Sequence, residues 1–258
     1  AANMANIPIA HIHGGETTSN AMDNAFRHSI SQMSSYHFVA HDEYKRKLIN
    51  FDIDPKKIFN LGSLGAHSSK KIGKFKKNEL RKILKIKNLN SIIMVSYHPE
   101  TLKKDFGLRD FNIIIDTLKH FSDHNIIFFK PNFDPKNNLI ASSIKKAQKN
   151  NKNMYVVKSL SHKNYLSLMS LSDLLIGNSS SGIIESPSFK LPVINIGKRQ
   201  NGRIISKNIV TITNLKKLKN QILYALSDKF KDKINNLKNF FYKSNTPTLM
   251  YKKIYKIY

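Results

Sequence analysis

A chain of 258 residues with 40% hydrophobic content is long enough to bury a substantial core, which excludes a disordered polymer. It contains no cysteine, so disulfides and thiolate metal sites are excluded, and its 43 Lys+Arg against 17 Asp+Glu give a formal net charge of +26. No apolar run approaches the roughly 20 residues that span a bilayer, and Ala1–Pro8 lacks the basic start and apolar stretch of a signal peptide, so a cytoplasmic protein without a membrane partner is expected. The charge raises the question of nucleic acid, yet the lysines are scattered among Asn and Ile rather than clustered with aromatics. No nucleic-acid partner is expected, and attraction of a phosphorylated small molecule needs only one or two of these charges.

In chain order, Ile7–Ile12 reads as a strand that ends at His13-Gly14-Gly15. Asp23–Met33 carries Phe26, Ile30 and Met33 at helical spacing. Tyr36–Ala40 is a second strand, Asp42–Asn50 a short helix, and Ile58–Leu61 a third strand closed by Gly62. Residues 65–77 are polar, basic and aperiodic, which predicts an interdomain linker. Beyond it, Ser91–Ser96, Asn125–Phe129, Met154–Val157, Asp173–Ile176, Pro192–Ile196 and Asn208–Ile212 are compact apolar runs separated by longer connections. Continuous rather than alternating hydrophobicity means that both faces of each strand are covered, as in a parallel sheet flanked by helices.

The fold expected is therefore α/β and doubly wound. It divides into residues 1–64, the linker 65–77, a nucleotide-binding domain over 78–240 and a basic helical tail over 241–258. Three strands are too few for a self-standing doubly wound sheet, so the N-terminal domain is expected to be incomplete.

The most specific stretch is Gly177-Asn178-Ser179-Ser180-Ser181-Gly182, between a strand and a helical segment carrying Glu185. A small-residue turn that opens a helix presents backbone N–H groups to an anion, phosphate above all, and the serine hydroxyls add donors. The plainer account is a helix N-cap without ligand. Glu185 lies one turn further on, where it can accept from ribose hydroxyls. Arg199 and Arg203 follow the strand Pro192–Ile196, and guanidinium forks there can take a phosphate, or can simply form a solvated basic loop. His98 closes the strand Ser91–Ser96 and points to the same crevice. In the first segment, strand alternation sends His11 and His13 to one side, with Glu16, Asp23 and Arg27 close behind. Asp23 and Arg27 share a helix face and can pair with each other. His-x-His with a distant acid is a weak metal signal, so no metal is expected, and general acid/base groups are favoured.

Taken together, HIHGGETT, DNAFRHSISQMSSYHFVAHDEY, KIFNLGS, VSYHPETL, GNSSSGIIESPSF and INIGKRQNGR resemble successive blocks of the hydrolysing UDP-N-acetylglucosamine 2-epimerase family of the sialic- and legionaminic-acid pathways. The resemblance runs in order to about Val210 and does not extend to the basic tail. It implies a GT-B arrangement, two Rossmann-like domains around a cleft. It also implies that Ser179, Ser180, Glu185 and Arg199 hold the diphosphate and ribose, with His98 beside the diphosphate, and that Asp23 is a catalytic acid. Glu16 is a further acid/base candidate, and His13 stands where relatives outside the bacterial sialic-acid branch often carry Glu. The implied reaction is anti elimination of nucleoside diphosphate across C1–C2 to a 2-acetamidoglycal, then addition of water with inversion at C2, with no cofactor. Two departures are visible. Asn24 replaces a second acid, and the family's Gly-Asp strand does not appear before Ala1, together with about a hundred residues by typical two-domain size. The polypeptide as given is therefore expected to be inactive. A GT-B glycosyltransferase, a non-hydrolysing epimerase and a basic binding module stay open, as do uracil against guanine, the sugar used and homo-oligomerisation.

Overall fold

The computed structural model describes residues 1–19, 21–72, 77–86, 89, 91–130 and 137–256. The first part runs β1 (Ala10–Ile12), α1 (Asp23–Met33), β2 (Tyr36–Val39), α2 (Asp42–Ile49) and β3 (Ile58–Asn60), and its three strands pair in parallel in that order. The chain continues through α3 (Leu64–Lys71) and α4 (Lys77–Leu84) into β4 (Ile92–Ser96), α5 (Leu108–Leu118), β5 (Asn125–Phe129), α6 (Asn137–Asn150), β6 (Met154–Val157) and α7 (His162–Leu171). It then forms β7 (Leu174–Gly177), α8 (Ser181–Ile184), β8 (Val193–Ile196), β9 (Ile209–Ile212), α9 (Leu218–Leu226), α10 (Asp228–Ile234) and α11 (Thr246–Tyr255).

The second sheet has the order β6-β5-β4-β7-β8-β9, with every pairing parallel. Counted within the sheet this is third-second-first-fourth-fifth-sixth, the doubly wound order that reverses between β4 and β7. Alternate residues of each strand feed two different cores, which explains the unbroken apolar runs. Ile92 and Met94 of β4 join one core, while Ile93 and Val95 join the other, under α5, α6 and α9. The first core is shared by both sheets. Val39, Tyr44, Leu48 and Ile58 pack in it together with Leu175, Ile183, Val193 and Phe241.

The linker expected over 65–77 is different in the structure. Residues 73–76 lie outside the described residues, and 64–71 form a helix. Its polar sequence carries little apolar signal, so tertiary contacts hold it instead. Ser63 caps it by accepting from the Ala66 N–H, Ala66 is wholly buried, and the His67 ring lies 3.2 Å from the Lys243 carbonyl. The tail is likewise tied back to the first part. Phe241 stacks on Tyr44 with an interplanar angle of 10°, and its carbonyl accepts from Ser63 N–H at 2.8 Å. Lys243 Nζ donates to the Asn60 carbonyl at 2.9 Å, and Thr246 Oγ1 to that of Leu61 at 2.8 Å. Among the described residues no helix is long and apolar enough to cross a membrane.

Since Phe241 is fully buried where the tail, β2–α2 and the second sheet meet, Phe241→Ala is expected to cost about 3–5 kcal/mol in urea unfolding. Phe26→Ala, at an exposed position of α1, should stay within about 0.5 kcal/mol of the parent chain.

Candidate functional site

An open parallel sheet binds ligands beyond the carboxyl ends of its strands, where the order reverses. Here Ser96 of β4 lies beside Gly177 of β7 at that point. Gly177 has φ 147°, and any side chain on it would overlap the Ser96 carbonyl, so only glycine lets the two strand ends approach. The next residue, Asn178, is wholly buried. Its Oδ1 accepts from the His98 N–H at 2.7 Å, its Nδ2 donates to the His98 carbonyl at 2.9 Å, and its own carbonyl accepts from Gln200 Nε2 at 2.7 Å. One residue thereby ties together the His98 loop, through its side chain, and the arginine loop, through its backbone carbonyl, at the start of the serine turn.

A cavity of about 440 Å³ opens over this junction, lined on one side by Ser96, His98, Ser179, Ser181 and Glu185. Its other wall is formed by Phe129, Lys130, Lys158, Ser159, Leu160, His162 and Tyr165. Tyr165 holds the turn from below through a 2.6 Å contact between its hydroxyl and Ser181 Oγ, and Ser179 Oγ lies 3.0 Å from Ser181 Oγ. Burial pushes the Tyr165 phenol up to about 12, so it stays protonated. No described protein group accepts from the backbone N–H of Ser179 or Ser180. Gly182 has a different place from the one expected. It faces the sheet against Val193 and Leu175, and its N–H is used by the Ser179 carbonyl, so it serves close packing.

Glu185 closes the cavity against α3, where any side chain at Gly65 would collide with its Oε1. Burial pushes this carboxyl from 4.5 up to about 8, the nearby Glu16 charge adds to the push, and Arg203 opposes it. At neutral pH it carries a proton and can both donate and accept.

The first part contributes a second group of side chains. His13, just past the end of β1, has φ 66°, so strand alternation does not set its direction. Its Nδ1 lies 2.6 Å from Oε1 of the buried Glu16. His11 instead contacts Ser31 at 3.0 Å, and burial first, then the neighbouring His37, lower its pKa to about 4. Asp23 was read as pairing with Arg27 on one helix face. In the structure it lies 3.5 Å from Arg199, while Arg27 donates to Thr18 Oγ1 at 2.9 Å. Asn24, the departure from the two-acid pattern, accepts from the Thr18 N–H at 3.0 Å, an acceptor role that a carboxylate would fill equally. Arg203, proposed from sequence as a phosphate ligand, is buried against Glu16 Oε2 at 2.7 Å and does not line the cavity.

Of the residues expected from sequence, His98, Ser179, Ser181 and Glu185 share the cavity wall, with Ser180 at the turn beside them. Arg199, Asp23, Glu16 and His13 meet where the two parts touch. Asn178 and Gln200 lie within the serine and arginine motifs but were given no role there, and Tyr165 and Lys158 carry no motif signal. Only the position of Asn178 directly after a strand-end glycine hinted at its role.

The two parallel sheets and the strand-end cavity define an α/β protein of the GT-B-like class. Residues 1–255 match the family described as UDP-N-acetylglucosamine 2-epimerase, and the chain belongs to that family. It is 40% identical over 205 residues to the GDP/UDP-N,N'-diacetylbacillosamine 2-epimerase (hydrolyzing) of Campylobacter jejuni, covering 79% of this chain and 53% of that protein. It is 36% identical over 248 residues to the polysialic acid biosynthesis protein P7 of Escherichia coli, covering 95% of this chain and 63% of that protein. The chain thus spans between half and two thirds of the length of these relatives. In fold it is similar to the UDP-GlcNAc 2-epimerase of Neisseria meningitidis bound to UDP-GlcNAc, with a TM-score of 0.82 at 17% identity, covering 99% of this chain and 71% of that one. The UDP-GlcNAc 2-epimerase of Methanocaldococcus jannaschii in complex with UDP-GlcNAc and UDP gives a TM-score of 0.79 at 19% identity, with coverage of 99% and 71%.

A carboxyl that keeps its proton when folded and loses it when unfolded makes stability fall as pH rises from 4.5 through about 8, with the full contribution present below 4.5. The melting temperature of the parent chain should therefore drop by several degrees between about pH 6 and 8.5, at about 2–4 °C per kcal/mol for a protein this size. The Glu185→Gln chain, which cannot ionise there, should show little of that drop in a thermal melt series.

Proposed function

We propose that this chain carries the nucleotide-binding half and part of the acid/base group of a hydrolysing 2-epimerase. The substrate is UDP-N-acetylglucosamine or a related nucleoside-diphosphate 2-acetamido sugar. The products are nucleoside diphosphate and the free 2-epimeric, N-acetylmannosamine-type sugar. The observation that carries this reading is the convergence of His98, the serine turn and the Arg199 loop on one strand-end crevice, held by Asn178.

In this reading the nucleoside occupies the cavity lined by Phe129, Lys130, Lys158 and Leu160, and Glu185 meets the ribose hydroxyls. The diphosphate lies at the amides of Ser179 and Ser180, with the Ser179 and Ser181 hydroxyls, His98 and Arg199 around it. Charge that develops on the leaving diphosphate is stabilised by donors already in place, so little reorganisation is needed as the C1–O bond breaks. The C2 proton is weakly acidic and needs a positioned base, and protonation of the glycal at C2 from the opposite face, which opens C1 to attack by water, needs an acid. His13, Glu16 and Asp23 are the groups that supply these across the cleft. The hydrolysing names of the C. jejuni relative and of a Legionella pneumophila relative, 32% identical over 207 residues, favour release of free sugar over return of the nucleotide sugar or transfer to an acceptor. A soluble cytoplasmic enzyme of a sialic- or legionaminic-acid type pathway fits these substrates.

The three-stranded first sheet leaves the acid/base side of the cleft with fewer walls than the nucleotide side, so residues 1–258 alone are expected to bind nucleotide without turnover. UDP should raise the melting temperature of the purified chain. Arg199→Ala should weaken UDP about 10- to 100-fold in calorimetry, the loss of one charge-assisted contact worth about 1.5–3 kcal/mol. Binding unchanged by that substitution would sink the assignment. Free 2-epimerised sugar made by residues 1–258 would overturn the expected lack of turnover.

A further inference from the structure

We propose that Arg203 is a positioning residue for the Glu16–His13 pair, reaching it from the opposite part of the molecule and fixing which imidazole nitrogen faces the cleft. The proposal rests on the reading of His13 and Glu16 as the acid/base group. Arg203 ends the loop after β8, and its side chain is only 4% exposed, against 3% for Glu16. Its guanidinium spreads over one short stretch of the first part. NH1 lies 2.7 Å from Glu16 Oε2, Nε donates to the Thr17 carbonyl at 3.0 Å, and NH2 to Thr18 Oγ1 at 3.5 Å. The neighbouring backbone is held too. Lys47 Nζ donates to the Gly202 carbonyl at 2.7 Å, and Gly202, at φ 83°, leaves room for Thr17 that a side chain would fill.

Glu16 is thus gripped on one oxygen by Arg203 and offers the other to His13 Nδ1 at 2.6 Å. Burial alone would push this carboxyl up, but the His13 bond and the Arg203 charge outweigh burial and hold it below its ordinary value. An ionised carboxylate only accepts, so Nδ1 carries the hydrogen of this bond and Nε2 is the nitrogen left to face the cleft. His13 is partly exposed, and its left-handed backbone, unusual outside glycine, fixes the ring's origin. The other titratable or charged groups that act on this pair are Arg27, His11, Lys47, Tyr44 and Glu185. None of them lies at ion-pair distance from the Glu16 carboxylate among the described residues; Arg203 does. Four residues earlier the same loop places Arg199 beside Asp23, so one loop orients both acidic groups of the first part.

The test reads the imidazole directly and needs no turnover. Two-bond ¹H–¹⁵N spectra of the histidine-labelled chain, with the His13 signals identified by their loss in His13→Gln, should show an Nδ1–H tautomer. In Arg203→Met the Nε2–H tautomer should gain. The thermal shift given by UDP should persist, since Arg203 does not line the cavity. Should Arg203→Met not fold, Arg203→Gln, which keeps the polar bulk without the charge, decides by the same spectra. A tautomer distribution identical to that of the parent chain in the folded variant overturns the proposal. Absence of free sugar from a full-length relative's assay would instead sink the enzymatic reading and leave the spectroscopic result standing.

Discussion

Three loops at the carboxyl edge of the second sheet are joined through Asn178, whose side chain binds the His98 backbone and whose carbonyl binds the arginine loop. Its amide accepts from the His98 N–H and donates to the His98 carbonyl, standing in for one more residue of β7 paired with β4, while its own carbonyl receives Gln200. Each of these groups is shielded from water, and leaving one unpaired would cost about 1–3 kcal/mol. An aspartate at this position would lack the donor, and a leucine would strand both His98 backbone groups. The consequence is geometric as much as energetic. The His98 loop, the serine turn and the Arg199–Arg203 loop are thereby tied to one another at a single residue.

Two buried carboxyls a short way apart show how environment divides roles. Glu16 has an imidazole on one oxygen and a guanidinium on the other, and stays ionised despite burial. Glu185 faces the N-terminal turn of α3 with no cation at contact distance among the described residues, and burial raises it to about 8. The first can only accept, while the second can meet a sugar hydroxyl as donor or acceptor. Each also acts on the other, since the ionised Glu16 helps keep the proton on Glu185. The two carboxyls shift in opposite directions because Glu16 has the His13 hydrogen bond and the Arg203 charge at contact, whereas burial dominates at Glu185.

Nearly all strands and the first helix were legible because each is a run of apolar residues serving two cores, or one clear helical stripe. α1 spans Asp23–Met33 as its spacing predicts, and the Asn125–Phe129 and Met154–Val157 strands coincide with their apolar runs. α3 was not legible, because Gly65, Ser68 and Ser69 give no periodicity and the helix is held by Ser63, Lys243 and the wall around Glu185. In the site, residues that bear their chemistry in a motif were found. Those placed by a long-range contact were not: the sequence leaves Arg203 open between a phosphate ligand and a solvated loop and Asp23 free to pair with Arg27, it gives Asn178 no role of its own within the serine motif, and Tyr165 carries no mark.

The serine turn also shows where a motif overstates its physics. A helix N-terminus attracts anions through aligned peptide dipoles, but α8 is a single turn of four residues before the chain tightens at Ser186–Phe189. So short a stack contributes little field. Two open amides and two hydroxyls can orient a diphosphate but cannot neutralise it. The compensating charge must then come from the neighbouring loop, and Arg199, almost wholly buried beside the exposed Asp23, is the guanidinium placed to provide it. Of the many basic residues in this chain, two arginines four positions apart on one loop meet acidic side chains of the first part, Arg199 beside Asp23 and Arg203 beside Glu16.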